Sequence, residues 1–308
     1  MSDNLVIDIY CPIIDNLGDI GKAYRLAKFL VKHTSWTVHF WPTKPIHQPP
    51  LLLSDRLILK KLDSHTPVGD IVITICSDWP PSTFLRDRPV LDFGYCLNVK
   101  KGGIEHWNNK RTRIIPGIEL GFLLSELPLP QVEPNSVFWY TYRRDVDPNL
   151  VTELAYSSNV TKFTHQLSYL PSLGNFESIK LPISEQDDFD RAMFSSEVIF
   201  ARGEDSFIQA MSSGQMTFWD PYPGYLPTSR ITMVENFAEL YTASWSDLHQ
   251  QAYLDVSQAF ITGKSISPWE LIKEMYVDNI PALTAWRSLL LTKPNLGFII
   301  IDELINLL

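Results

Sequence analysis

The sequence predicts an α/β protein organised as two lobes and a helical tail. Three observations predict it. Short runs rich in β-branched and aromatic residues alternate with amphipathic helical stretches along most of the chain. That alternation is broken at 128–136, "PLPQVEPNS", which holds three prolines and few large apolar residues, and then restarts. The chain's 308 residues are also too many for one ordinary core and comfortable for two.

Residues 4–10, "NLVIDIY", read as a buried strand. "GDIGKAYRLAKFLVKH" then places Ile20, Tyr24, Ala27, Leu30 and Val31 at helical spacing, with basic residues in the last turns. "WTVHFW", "VGDIVITICSDWPP" and "RPVLDFGYCL" supply further strands, giving a mostly parallel sheet. After the break come the strand "SVFWYTY" and a helix over 147–158, "DPNLVTELAYSS", with Asp147 as cap and Pro148 at its first position. "ESIKLP", "SEQDDFDRAMFSS", "EVIFA" and "EDSFIQAMSSG" follow as strand, helix, strand and helix, and "MTFWDPYPGYLP" as a strand running into a loop. From Met233 onward the pattern is helical, and "GFIIIDELINLL" reads as a docked helix.

Composition narrows the function classes. A hydrophobic fraction of 45% and a charged fraction of 20% suit a soluble globular protein. The formal charge of -9 argues against a broad basic face for nucleic acid. No apolar run reaches the ~20 residues of a membrane span, and the N-terminal stretch lacks a signal peptide's basic and apolar regions. Cys11, Cys76 and Cys96 have no CxxC spacing and read as free thiols, so the expected location is the cytoplasm. Seven histidines with no HxxxH or HExxH spacing give no metal motif.

Two acidic loops carry the chemistry. "CPIIDNLGDIG" follows the first strand, where ligands gather in open parallel sheets. Asp15 and Asp19 can accept a proton or hold a cation, while Gly18 and Gly21, beside Asn16, permit close approach. On spacing alone, capping is the better account of the same acids: Asp19 as N-cap and Asp15 as a turn residue. The glycines do not make GxGxxG, so a dinucleotide fingerprint is absent. In "FARGEDSFIQAMSSG" a strand ends at Arg202 and Gly203, and a helix opens with Glu204, Asp205 and Ser206. Its amides and Ser206 can hold a diphosphate, and Glu204 or Asp205 can take sugar hydroxyls. Ordinary first-turn acids are again the competing reading. Tyr140 and Tyr142 alternate on a strand, as core residues or as a base-stacking platform.

These segments resemble the EarP family, bacterial protein-arginine rhamnosyltransferases that modify translation elongation factor P. The similarity is carried by "DNLGDIGKAYRLA", by "EQDDFDRAMFSSEVIFARGEDSFIQA" and by "WDPYPG", with "IIPG" at 114–117 and "PALTAWRSLLLTKPNL" in support. The resemblance implies a GT-B fold, two Rossmann-like lobes with a cleft between them. Residues 1–133 would face the acceptor, 134–285 would bind the nucleotide sugar, and 286–308 would return as helices toward the first lobe. It further implies an inverting, metal-independent transfer from dTDP-β-L-rhamnose, with no cofactor, to an arginine on a loop tip of elongation factor P. Asp19 would be the base and Asp15 its positioning partner, or the reverse. Glu204, Asp205, Ser206 and Arg202 would meet the donor, Gln186 would read the thymine edge and Tyr142 would contact the nucleotide.

The chain departs from the family pattern at several positions. Leu17 replaces the first-loop aromatic, Ile183 an aromatic, and Glu185 a proline. Asp220 stands in place of the histidine after Trp219, and Gly224 and Tyr225 in place of a Gln-Glu pair. Two other readings therefore stand beside the first: a GT-B transferase with another nucleotide sugar or acceptor, and a relative that binds elongation factor P without catalysis.

Overall fold

Strand β1 (Val6–Cys11) forms where β-branched residues are densest, and it takes the centre of a seven-stranded sheet. The computed structural model describes residues 4–13, 17–44, 54–61, 69–75, 88–95, 99–142, 160–165, 176–181, 185–224, 227–263 and 269–308. Asp15, Asn16, Cys76, Cys96, Ile183, Tyr225 and the helix expected at 147–158 lie outside them. The chain divides into two compact units, Met1–Ser125 with Thr292–Leu308, and Glu126–Leu291.

In the first unit β1 is joined by β2 (Thr37–Pro42), β3 (Leu57–Leu59), β4 (Ile71–Ile75), β5 (Val90–Phe93), β6 (Gly103–Asn108) and β7 (Arg111–Ile115). Their order is β3-β2-β1-β4-β5-β7-β6. All neighbours are parallel except the β6–β7 hairpin. Every residue of β4 is buried, as both faces of a parallel sheet require. Helix α1 (Leu17–His33) lays Ile20, Ala23, Leu26, Ala27 and Leu30 on the face formed by Ile7, Ile9 and Cys11. The same core takes Leu296, Ile300 and Leu304 of the C-terminal helix α7 (Leu296–Asn306). Close packing of α7 depends on Gly297, where a Cβ would lie 2.4 Å from the Phe29 ring. Asn295 secures the helix start by accepting from the Gly297 N–H and donating to the Leu124 carbonyl, at 3.1 and 3.0 Å.

The opposite face of this sheet centres on Asp8, which has no exposed surface. Its carboxylate accepts from Trp41 Nε1 (2.9 Å), the Gly69 N–H (2.8 Å), Arg88 Nη1 (2.9 Å) and His39 Nδ1 (3.1 Å). Because a carboxylate only accepts, the His39 proton resides on Nδ1.

The second unit builds a five-stranded, wholly parallel sheet from β8 (Glu133–Trp139), β9 (Lys162–His165), β10 (Glu177–Lys180), β11 (Ser196–Arg202) and β12 (Met216–Asp220). Its order is β10-β9-β8-β11-β12. Helices α2 (Gln186–Phe194), α3 (Asp205–Ser213), α4 (Pro227–Tyr241), α5 (Asp247–Thr262) and α6 (Trp269–Leu290) complete it. Aromatic rings fill the core: Phe200 stacks on Phe218, and Phe218 on Tyr253, each pair at 4.8 Å. β8 begins at Glu133, inside the stretch expected to be a connection, because Pro134 is accommodated near the strand start. Helical structure begins at Pro227, ahead of the expected Met233, and α6 continues through Pro281 as one helix.

One titration follows from this packing. His165, buried at the end of β9, stacks on Phe163 at 5.3 Å and meets Ser178 Oγ at 3.0 Å. Burial first, and then the Lys180 charge, hold its pKa below the ordinary histidine value. The folded state thus resists protonation where the unfolded chain accepts it, and stability declines as pH falls below the ordinary histidine value of about 6.5. Urea melts on both sides of that value should show the decline, and His165→Gln should flatten it. Equal slopes for both proteins would refute the assignment.

Candidate active site

Both sheets reverse their strand order beside their first strand: β1 is flanked by β2 and β4, and β8 by β9 and β11. In doubly wound sheets the loops at such a switch point, beyond the strand C-termini, form the ligand site. The two acidic segments leave the sheets at these points, after β1 and after β11.

In the first unit α1 starts at Leu17, so Asp19 lies within its first turn and is not the N-cap. The residue is 5% exposed, unlike a solvent-facing capping acid. Gly18 and Gly21 belong to the first turns of α1; the expectation that they form a loop is corrected, because the helix begins earlier than "GDIG" suggests. They still remove two side chains from that end of the helix. A buried cation that sequence reading passed over lies one turn on. Lys22 donates to the Gly94 carbonyl at 2.6 Å and sits 4.2 Å above the Phe93 ring. Its i+3 spacing from Asp19 was the available signal.

In the second unit Gly203 turns the chain from β11 into α3 with φ of 68°, a conformation that suits glycine. Its N–H donates to the Asp220 carbonyl (2.9 Å), and its carbonyl accepts from Trp219 Nε1 (2.6 Å). Trp219 stacks on Phe207 at 4.3 Å and fixes α3 against β12. Glu204 occupies the N-cap position, yet its side chain makes no capping hydrogen bond, so the simple capping explanation fails for it. Asp205 and Ser206 are buried in the first turn.

Around this turn the C-terminal ends of β8, β11 and β12 converge. The Arg202 guanidinium lies 4.2 Å from the Tyr140 ring and 5.0 Å from that of Tyr142, and donates to the Thr141 carbonyl at 3.2 Å. β8 ends at Trp139, so Tyr142 lies past the strand rather than on it as expected. It stands half-buried against Tyr222, with its N–H held by Asp220 Oδ2 at 3.0 Å. Asp220 Oδ1 accepts from Arg230 Nη2 at 2.5 Å. Gln186 opens α2 and donates to the buried Asp190 at 3.1 Å; one turn on, Phe189 packs edge-on to Tyr140 at 5.0 Å. The structure thus gathers Tyr142, Arg202, Glu204, Asp205 and Ser206 at one sheet edge, with α2 packed against the same tyrosine.

Among the described residues one acid–histidine group stands apart: His249, Glu274 and Asp278, with ligating atoms within 4.8 Å of one another. Asn279 Nδ2 donates to the Met275 carbonyl (2.7 Å), which fixes its orientation and turns its second N–H onto His249 Nδ1 (3.1 Å). Nδ1 is then the acceptor and the proton sits on Nε2, the atom 4.0 Å from Asp278. That polarity suits a hydrogen-bond donor rather than a metal ligand.

The family model described as Elongation-Factor P (EF-P) rhamnosyltransferase EarP matches residues 7–47 and 144–302. The chain belongs to the EarP family. A protein-arginine rhamnosyltransferase of Pseudomonas putida is 48% identical over 288 residues, 70% of this chain and 76% of the relative. One from Neisseria meningitidis is 25% identical, covering 70% and 73%. Among solved structures, the one reported as the structural basis for EarP-mediated arginine glycosylation of translation elongation factor EF-P aligns over 99% of this chain and 100% of its own, with TM-score 0.59 and 18% identity. The calicheamicin glycosyltransferase CalG4 aligns over 99% and 98%, with TM-score 0.52 and 10% identity. At those identities the structures establish the fold, which is GT-B. This EarP-family enzyme is a glycosyltransferase of the protein-arginine rhamnosyltransferase class. Among its described residues no helix is long and apolar enough to cross a membrane.

Proposed function

We propose that the enzyme moves L-rhamnose from dTDP-β-L-rhamnose to an arginine of translation elongation factor P in the cytoplasm, inverting the anomeric centre. The observation that carries this reading is the burial of Asp19 at the switch point of the first sheet, in a chain whose family match reaches both units. A guanidinium is a poor nucleophile because its lone pairs are delocalised and its pKa exceeds ~12. A carboxylate can grip its planar fork, orient one nitrogen and take its proton as the bond forms. Asp19 is the base in this reading, and Asp15 orients the acceptor. The departing diphosphate gains negative charge, which the N-terminus of α3 and Ser206 stabilise without a metal. Glu204, whose side chain does not cap α3, takes a donor hydroxyl. Gln186 and Tyr142 hold the thymine.

Intact mass of co-expressed elongation factor P tests the reading. The expected result is a gain of one deoxyhexose, mapped to an arginine. A gain of another sugar mass would replace the donor, and a stable complex with no gain would remove the reaction. Within the same reading, Glu204→Ala should raise the donor KM about ten- to a hundredfold, as loss of a charge-assisted hydrogen bond implies. An unchanged donor KM would remove Glu204 from the donor site.

A further inference from the structure

Arg230, near the start of α4, is held by the fold at two points. Its Nη2 donates to Asp220 Oδ1 at 2.5 Å and its Nε to the Pro221 carbonyl at 3.1 Å, while the side chain keeps 16% of its surface exposed. Asp220 is nearly fully buried, and its second oxygen holds the Tyr142 N–H. Its backbone carbonyl holds the Gly203 N–H at the turn into α3. One acid therefore couples the Arg230 fork to the loop before α3 and to the Tyr142 backbone. A guanidinium offers five donors, and these contacts engage two of them.

The charge balance at this edge gives the remaining donors a use. Arg202 and Arg230 stand against Glu204, Asp205 and Asp220, leaving one net negative charge among these residues. The Arg202 guanidinium lies over the rings of Tyr140 and Tyr142. A dinegative diphosphate meeting these acids gains from an oriented cation, because a helix N-terminus supplies only about half a unit charge. We infer that Arg230, pre-aligned by Asp220, grips the nucleotide diphosphate with its remaining N–H groups and is a donor-affinity determinant of this enzyme. The inference rests on the donor-site reading above. A planar fork held in place beforehand loses little entropy on meeting a phosphate.

Binding of dTDP by calorimetry and of thymidine by ligand-observed NMR separates the possibilities, using full-length wild type, Arg230→Met and Arg230→Lys. Arg230→Met should weaken dTDP about ten- to a hundredfold and leave thymidine within about twofold, since the nucleoside lacks the charged group. Arg230→Lys, which keeps the charge and loses the fork, should fall between the two. It also serves the test should Arg230→Met fail to fold. Equal loss for dTDP and thymidine would show a purely structural role, and wild-type dTDP affinity in Arg230→Lys would exclude the forked grip; either overturns the inference. A wild type that binds no dTDP would instead overturn the donor-site reading, and this inference with it.

Discussion

Asp19→Asn should lower rhamnosyl transfer by about two to four orders of magnitude, the range a positioned general base contributes. The amide keeps the size of the carboxylate but neither its charge nor its proton affinity, so the loss falls on kcat. Affinity for dTDP should be unchanged, because the proposed donor residues all belong to the second unit. Asp19 sits in the first turn of α1, where an acid also favours the helix dipole. That effect is worth only about 0.3–1 kcal/mol. Turnover near wild type would remove Asp19 as the base. A parallel loss of dTDP binding would show that the substitution damages more than the acceptor side.

The second large effect is on stability. Asp8→Ala should destabilise the protein by about 3–5 kcal/mol, measured as a drop in the urea midpoint, because it strands a buried charge partner and three further donors at once. Arg88, Trp41, His39 and the Gly69 amide all converge on that carboxylate. A domain of ordinary stability holds only about 5–15 kcal/mol, so the loss would be felt at growth temperature. A shift below about 1 kcal/mol would mean that solvent replaces the carboxylate, and that the network contributes little.

How much of this was legible in the residues depends on the range over which each feature is encoded. The helices α1, α2 and α3 and the strands β1, β4, β11 and β12 announce themselves through local periodicity, because one buried face repeats within a few residues. Four strands carry no such signal. β3 has three residues, and β9, "KFTH", mixes polar and apolar side chains. β6 leaves four of its six residues exposed at the sheet edge, and its partner β7, "RTRII", is short and sets two arginines and a threonine before its apolar end. Such strands are set by pairing, not by pattern. The acidic loops were visible as composition, and the family likeness turned them into a site. The competing explanations needed coordinates: Glu204 had to be seen not to cap α3, and Asp19 to be buried. Asp8 reads in sequence as a polar interruption of a core strand, since its partners stand at 39, 41, 69 and 88. Arg230 was invisible for the same reason. Nothing near it in the chain marks it as the counterpart of Asp220 except the fold itself.

The most direct test is a crystal structure of the enzyme with dTDP and an arginine-bearing loop of elongation factor P. The account predicts the diphosphate on the first-turn amides of α3 beside Ser206, with the guanidinium in contact with Asp19 and Asp15. A nucleotide bound away from α3, or an arginine that meets neither aspartate, would contradict it.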